Sequence, residues 1–178
     1  MYRVKIMICA VGLVAQMTSS IALAQRSEPA IGTWVLDSAS TESAILARKP
    51  LQIPANFGML GYWGLFVYEI TPAEAITRAY SMDTKLVQSL VSCTLSGCTY
   101  AGVVKGNAAE LKVVFVDENH VKIYAPNSPE AEELIWKRSD KFSTENVSLI
   151  EANKKAVEWI SAMERIQKVV SKFESSAK

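Results

Sequence analysis

The sequence predicts a mainly β fold: an antiparallel meander of about eight strands that closes into a barrel, plus a long C-terminal amphipathic α-helix. Three observations carry this expectation. Short runs rich in aromatic and β-branched residues recur from Ile31 to Arg138. The later links between them are two or three residues of turn chemistry, which join antiparallel neighbours and cannot form the crossover of a parallel pair. Beyond Val147 the apolar spacing changes to three and four, the period of a helix. The chain has 178 residues, with 19 Lys and Arg against 18 Asp and Glu. Such a balance lacks the basic excess of a nucleic-acid footprint.

Residues 1–24 read as a secretory signal peptide. Arg3 and Lys5 form the cationic start, residues 6–14 an apolar run too short to span a membrane, and Ala22-Leu23-Ala24 an A-x-A cleavage site. Export would place the protein in the periplasm or outside the cell. No later apolar run reaches the roughly 18 residues of a transmembrane helix. The barrel domain is expected over residues 25–142 and the helical segment over 143–178.

Residues 31–36 form the first strand. An apolar loop is expected over 37–63. Its first part, 37–43, is small and polar, a loop or the start of a short helix, followed by a helical turn or two at 44–48 ended by Pro50. Pro54, Gly58, Gly61 and Gly64 then alternate with Phe57, Met59, Leu60, Tyr62 and Trp63. So much glycine breaks regular structure, and so many apolar side chains are not simply solvated. Such a loop is a lid over a ligand or packing for one end of the core. Further strands are read at 65–71, 75–82, 86–94, 98–104, 110–116, 120–125 and 133–138. Thr71-Pro72-Ala73-Glu74 fits a helix start or a turn; the turn is preferred because Ile76, Tyr80 and Met82 share one parity behind it. Asp83-Thr84, Leu95-Ser96-Gly97, Lys105-Gly106-Asn107 and Asp117-Glu118-Asn119 are the remaining turns. Closure of the meander would remove its two exposed edges.

Cys9 lies in the leader, so Cys93 and Cys98 remain. An even pair in an exported chain reads as a disulfide, here stapling one hairpin and contributing about 2 kcal/mol through so short a loop. The rival reading is a metal or redox pair, but Cys-x4-Cys is not the redox spacing and no histidine cluster accompanies it. In the C-terminal segment, Ser148 and Glu151 stand in capping-box spacing. Leu149, Ala152, Ala156, Ile160, Met163, Ile166, Val170 and Phe173 form a helical stripe, with Glu151–Lys155 and Glu164–Lys168 as i,i+4 pairs. About 27 residues would make a helix roughly 40 Å long. Its stripe is to be buried on its own sheet, on a second copy in a dimer, or on a protein partner.

Gly32-Thr33-Trp34 is a G-x-W at the head of a β-meander, and it resembles the opening of the lipocalin and wider calycin families. The resemblance implies a lipocalin-like barrel whose tryptophan, Trp34, plugs the closed end under a cation from the last strand. Arg138, beside Lys137, stands in the matching place, and an arginine on an indole face contributes roughly 0.5–2 kcal/mol. The resemblance also implies that the loop 37–63 lies over the open end, and that the interior holds a small apolar cavity. No TDY-like triplet is present, so the architecture alone is carried over.

Other chemistry is sparse. His120 is the single histidine, expected at a hairpin tip open to water, so no catalytic residue is assigned to it. Glu130, Glu132 and Glu133 would suit paired-carboxylate chemistry but read as a solvated face. No metal ligands have recognised spacing, and no cofactor is implied. Ser96-Gly97-Cys98-Thr99-Tyr100 is similar to the S-G-x-x-Y loop of periplasmic lysozyme inhibitors, in which the serine and tyrosine would enter an enzyme's cleft. Asn146-Val147-Ser148 is a sequon in a eukaryotic source. The sequence therefore points to a non-catalytic, exported binder of a small apolar ligand, with Phe57, Met59, Leu60, Tyr62 and Trp63 as its contacts. The alternative is a cell-envelope protein–protein module using the Cys93–Cys98 hairpin or the C-terminal helix.

Overall fold

A computed structural model describes residues 28–49, 51, 56–79, 85–140 and 149–176. The leader read at 1–24, Tyr80, Met82, the Asp83-Thr84 link, the sequon at Asn146 and the Ser148 cap lie outside them. Eight antiparallel strands follow one another round a closed barrel: β1 (Gly32–Leu36), β2 (Phe66–Ile70), β3 (Glu74–Ala79), β4 (Lys85–Thr94), β5 (Gly97–Val104), β6 (Asn107–Phe115), β7 (His120–Tyr124) and β8 (Trp136–Arg138). β8 closes the barrel on β1, with Trp34 opposite Arg138 and Leu36 opposite Trp136. Closure leaves no open sheet edge, the hazard of a meander this long.

Alternation along the strands sets what faces inward. Trp34 and Leu36, Tyr68 and Ile70, Cys98 and Tyr100, Leu111 and Val113, and Val121 and Ile123 belong to one buried cluster. In β3 the inward residues are Ala75, Thr77 and Ala79, since Thr77 pairs with Tyr68 and Ala79 with Phe66. This corrects the parity expected from Ile76, which lies on the other face. The turn at Thr71 is as expected: its Oγ1 accepts from the Glu74 amide at 2.9 Å, and its own amide donates to the Glu74 carbonyl at 2.8 Å. Cys93 and Cys98 sit opposite each other on β4 and β5, with Cα atoms 4.1 Å apart, and are disulfide-bonded.

The segment read as a loop over 37–63 contains two helices, α1 (Ser38–Leu46) and α2 (Phe57–Trp63). Asp37 caps α1, its Oδ2 accepting from the Ser40 hydroxyl at 2.9 Å, which explains why a small polar stretch becomes helical. Thr41 is fully buried and its Oγ1 accepts from the Ile135 amide at 3.0 Å, fixing α1 beside β8. α2 forms despite two internal glycines because Leu60 is wholly buried. Tertiary burial here outweighs poor helix propensity. The strand expected over 133–138 shortens to β8, preceded by a 3-10 turn at Pro129–Glu133, in which proline takes the start of the turn.

The last helix, α3 (Leu149–Ser176), has 28 residues. Its Trp159, Ala162, Ile166 and Val170 join the barrel's own buried cluster. Ile166 and Val170 of the expected stripe are buried and Met163 packs against the cluster, but Ile160 and Phe173 are exposed, and Trp159 and Ala162 complete the buried face. Trp159 Nε1 donates to the Leu60 carbonyl at 3.0 Å, tying α3 to α2. A side chain at Gly64 would overlap the Trp159 indole and come within 2.8 Å of Leu36 Cδ2, so that glycine is the space into which Trp159 fits. Arg165 reaches Glu42 of α1 at 2.6 and 2.8 Å. No helix of the described residues is long and apolar enough to cross a membrane.

Candidate functional site

The interior has a filled end and a hollow end. At the filled end Trp34 is completely buried and its Nε1 donates to the Ala30 carbonyl at 2.7 Å. The Arg138 guanidinium carbon lies 5.1 Å from the centre of the Trp34 ring, which is cation–π range. Gly32 has φ +141°, a conformation that side chains resist, and the Arg138 side chain runs 3.5–3.7 Å from where its Cβ would be. The G-x-W start and the late arginine are therefore one packing unit. Above it, Tyr68 and Trp136 pack edge to face with centroids 4.8 Å apart. Burial drives the Tyr68 phenol pKa far above its ordinary value, with Tyr62 adding to the shift. Burial also pushes the Tyr100 phenol up to about 12.

At the other end lies a cavity of about 630 Å³, within the roughly 300–1,000 Å³ typical of small-molecule sites. It exists because β3, β5 and β6 turn the small residues Ala79, Gly102 and Ala109 inward there. Ala79, Ala108 and Ala109 line it. Gly102 leaves room for Gln88 to cross over it: a Cβ there would meet Val87 O at 2.9 Å and Gln88 Cγ at 3.1 Å. Gln88, only 2% exposed, donates from Nε2 to the Ala109 carbonyl at 3.2 Å. One wall is aromatic. Tyr62 lies 5.3 Å from Trp63 and 5.2 Å from Phe66, and Phe66 lies 6.3 Å from Tyr68, centre to centre. These rings run from the mouth toward the filled end.

Of the five contacts expected from the apolar segment, Tyr62 and Trp63 line this cavity. The other three do not. Leu60 is core beneath Trp159, Phe57 packs on the core, and Met59 faces solvent at 45% exposure. Sequence reasoning missed Phe66, Thr77, Gln88, Leu86 and Leu111, which also line it. Their signal was the run of alternate small residues, Ala75-x-Thr77-x-Ala79 and Gly102 opposite Ala109, in strands that otherwise face inward with bulk.

Two of the three acidic side chains are engaged at the rim, while Glu132 is exposed as expected. Trp63 Nε1 donates to Glu130 Oε1 at 3.2 Å, and Arg48 pairs with Glu133. Both contacts pin the helices α1 and α2 to the 3-10 turn, so these carboxylates hold the rim. His120 is partly exposed, with 28% of its side chain accessible. Its Nδ1 is 2.9 Å from Asp117 and its Nε2 3.5 Å from Asp37 Oδ2. Asp37 is pushed up by burial but held below its ordinary value by its bonds to Ser40 and by Lys137. Among the described residues no three His, Cys, Asp or Glu side chains gather as a metal site. Tyr100, the tyrosine of the S-G-x-x-Y segment, is 0% exposed and faces the barrel interior, whereas Ser96 is outside. The two cannot enter a partner's cleft together from this surface.

No protein family profile, no curated protein and no solved structure matches this chain.

Proposed function

We propose that the protein is a non-catalytic, exported binder of a small apolar ligand held at the open end of the barrel. The observation that carries this reading is the hollow, aromatic-walled cavity of about 630 Å³ above a floor occupied by the buried rings of Trp34, Tyr100 and Trp136. A barrel that needed only stability would fill both ends, because an empty apolar space forfeits packing contacts. The Cys93–Cys98 disulfide is in keeping with an oxidising compartment, periplasmic or extracellular. Mass spectrometry of protein purified under native conditions tests the reading. A co-purified small apolar molecule, released on denaturation and absent from a cavity-filled Ala79→Leu variant, is the expected result. Equal amounts released from both proteins would overturn it.

A second reading, a cell-envelope protein–protein module, is favoured by one surface feature. Val87, Val91 and Val103 are exposed on the outer wall of β4 and β5, and Leu95 is exposed at the hairpin tip. On the helix, the Trp159–Val170 face is covered by its own chain, while Val157, Ile160, Val169 and Phe173 remain exposed.

A further inference from the structure

The cavity wall is not uniformly apolar. Thr77 and Gln88 lie on neighbouring strands in diagonal register, Thr77 opposite Leu86 and Gln88 opposite Ala75, so both face inward two residues apart. Diagonal neighbours on one face are within reach of a common group. Both line the cavity, and both are more than nine-tenths buried, Thr77 at 8% and Gln88 at 2% exposure. The Thr77 hydroxyl has no hydrogen-bond partner. A buried hydroxyl left unpaired is destabilising, and replacing it by an apolar group of the same shape removes that penalty. The charged residues that line the cavity, Lys105 and Glu110, are exposed at its rim. The depth of the cavity therefore offers hydrogen bonds and no counter-charge. An ionised head group would lose its hydration there without a partner.

From this we infer the chemical class of the ligand: a neutral amphiphile, with an aliphatic or aromatic body against Tyr62, Trp63 and Phe66 and one uncharged hydroxyl or carbonyl head turned inward to Thr77 beside Gln88. This inference rests on the cavity being a binding site, as proposed above. The head enters first, and rotation of the Thr77 side chain presents its hydroxyl to it.

Displacement of the neutral fluorophore 1-aminoanthracene from the full chain at pH 8 tests it, with 1-decanol, decane and decanoate as competitors. Decanol is expected to bind more tightly than the ionised decanoate. The ratio of decanol to decane affinity is expected to fall about fivefold in Thr77→Val, the worth of one net hydrogen bond, and to be retained in Thr77→Ser. Thr77→Val should melt at or above the wild-type temperature, which separates a lost head-group contact from a damaged fold. An unchanged ratio in Thr77→Val, or decanoate binding better than decanol, would overturn the inference while leaving the cavity as an apolar site. If neither the fluorophore nor any competitor binds, the cavity reading falls and takes the inference with it.

Discussion

The two ends of the barrel interior differ in side-chain volume. At the floor Trp34, Tyr68, Tyr100 and Trp136 fill the interior, with Arg138 lying over the first indole. At the mouth the inward positions of β3, β5 and β6 are Ala79, Gly102 and Ala109, and a cavity remains. The floor is a stability element, where bulk is required. The mouth gives up packing to remain hollow, and three helices brace its rim through Trp159 on Leu60, Trp63 on Glu130 and Arg165 on Glu42. Substitutions should thus separate cleanly: floor changes should alter stability, and mouth changes should alter binding.

The largest effect is expected at the floor. Trp34→Ala removes a fully buried indole and its bond to Ala30, and should cost about 3–5 kcal/mol in denaturant unfolding. A loss under about 1 kcal/mol would mean that the floor is not what holds the barrel. Next comes the brace. Gly64→Val drives a side chain into the Trp159 indole and should cost about 1–3 kcal/mol, the range for overpacking, with Trp159 emission shifting to the red as α3 is displaced. Arg138→Met keeps much of the side chain's bulk but removes the cation over Trp34. It should cost roughly 0.5–2 kcal/mol, read as a shift of the denaturation midpoint. Ala79→Leu at the mouth should change stability by less than about 1 kcal/mol while reducing ligand uptake at least tenfold.

Acid should act on the rim and not on the floor. Glu42 lies below its ordinary 4.5, mainly through its bonds to Arg165, and Asp37 lies below its ordinary 3.8. A carboxylate whose folded pKa is lowered stabilises the fold fully above its unfolded value and loses that contribution as pH falls through the folded one. The attachment of α1 to α3 should therefore be intact above about pH 5 and weaken below pH 4. Glu42→Gln should blunt that acid response, as followed by Trp159 emission. This is the smallest of the expected effects, because Arg165 is exposed and its pair with Glu42 is screened by solvent.

How much of this was legible in the sequence depended on range. The barrel, its closure and the pairing of Trp34 with Arg138 were readable, because alternation, short turns and the G-x-W start are local or positional signals. α1 was legible only in part, as a helical turn or two at 44–48, and α2 not at all, because helix formation there depends on contacts from distant segments: Ile135 for Thr41, and Trp159 for Leu60. Gly58 and Gly61 argued against a helix, and burial of Leu60 overrode them. The candidate site was half readable. Tyr62 and Trp63 were identified by their aromatic character, but Met59 turned outward because a helix, unlike a loop, gives neighbouring residues different faces. Thr77 was marked only by the small-residue run Ala75-x-Thr77-x-Ala79, and Gln88 carried no local signal. Their place in the cavity follows from the closed register of β3 and β4, which no short window reveals.

One titration addresses the contrast between the two ends most directly: 1-aminoanthracene added to the wild-type protein and to Ala79→Leu, with fluorescence enhancement recorded at equal protein concentration. The account predicts saturable, one-site binding to the wild type and its loss in a variant that melts within a few degrees of it. Equal binding by both proteins, or none by the wild type, would contradict a ligand site at the open end of the barrel.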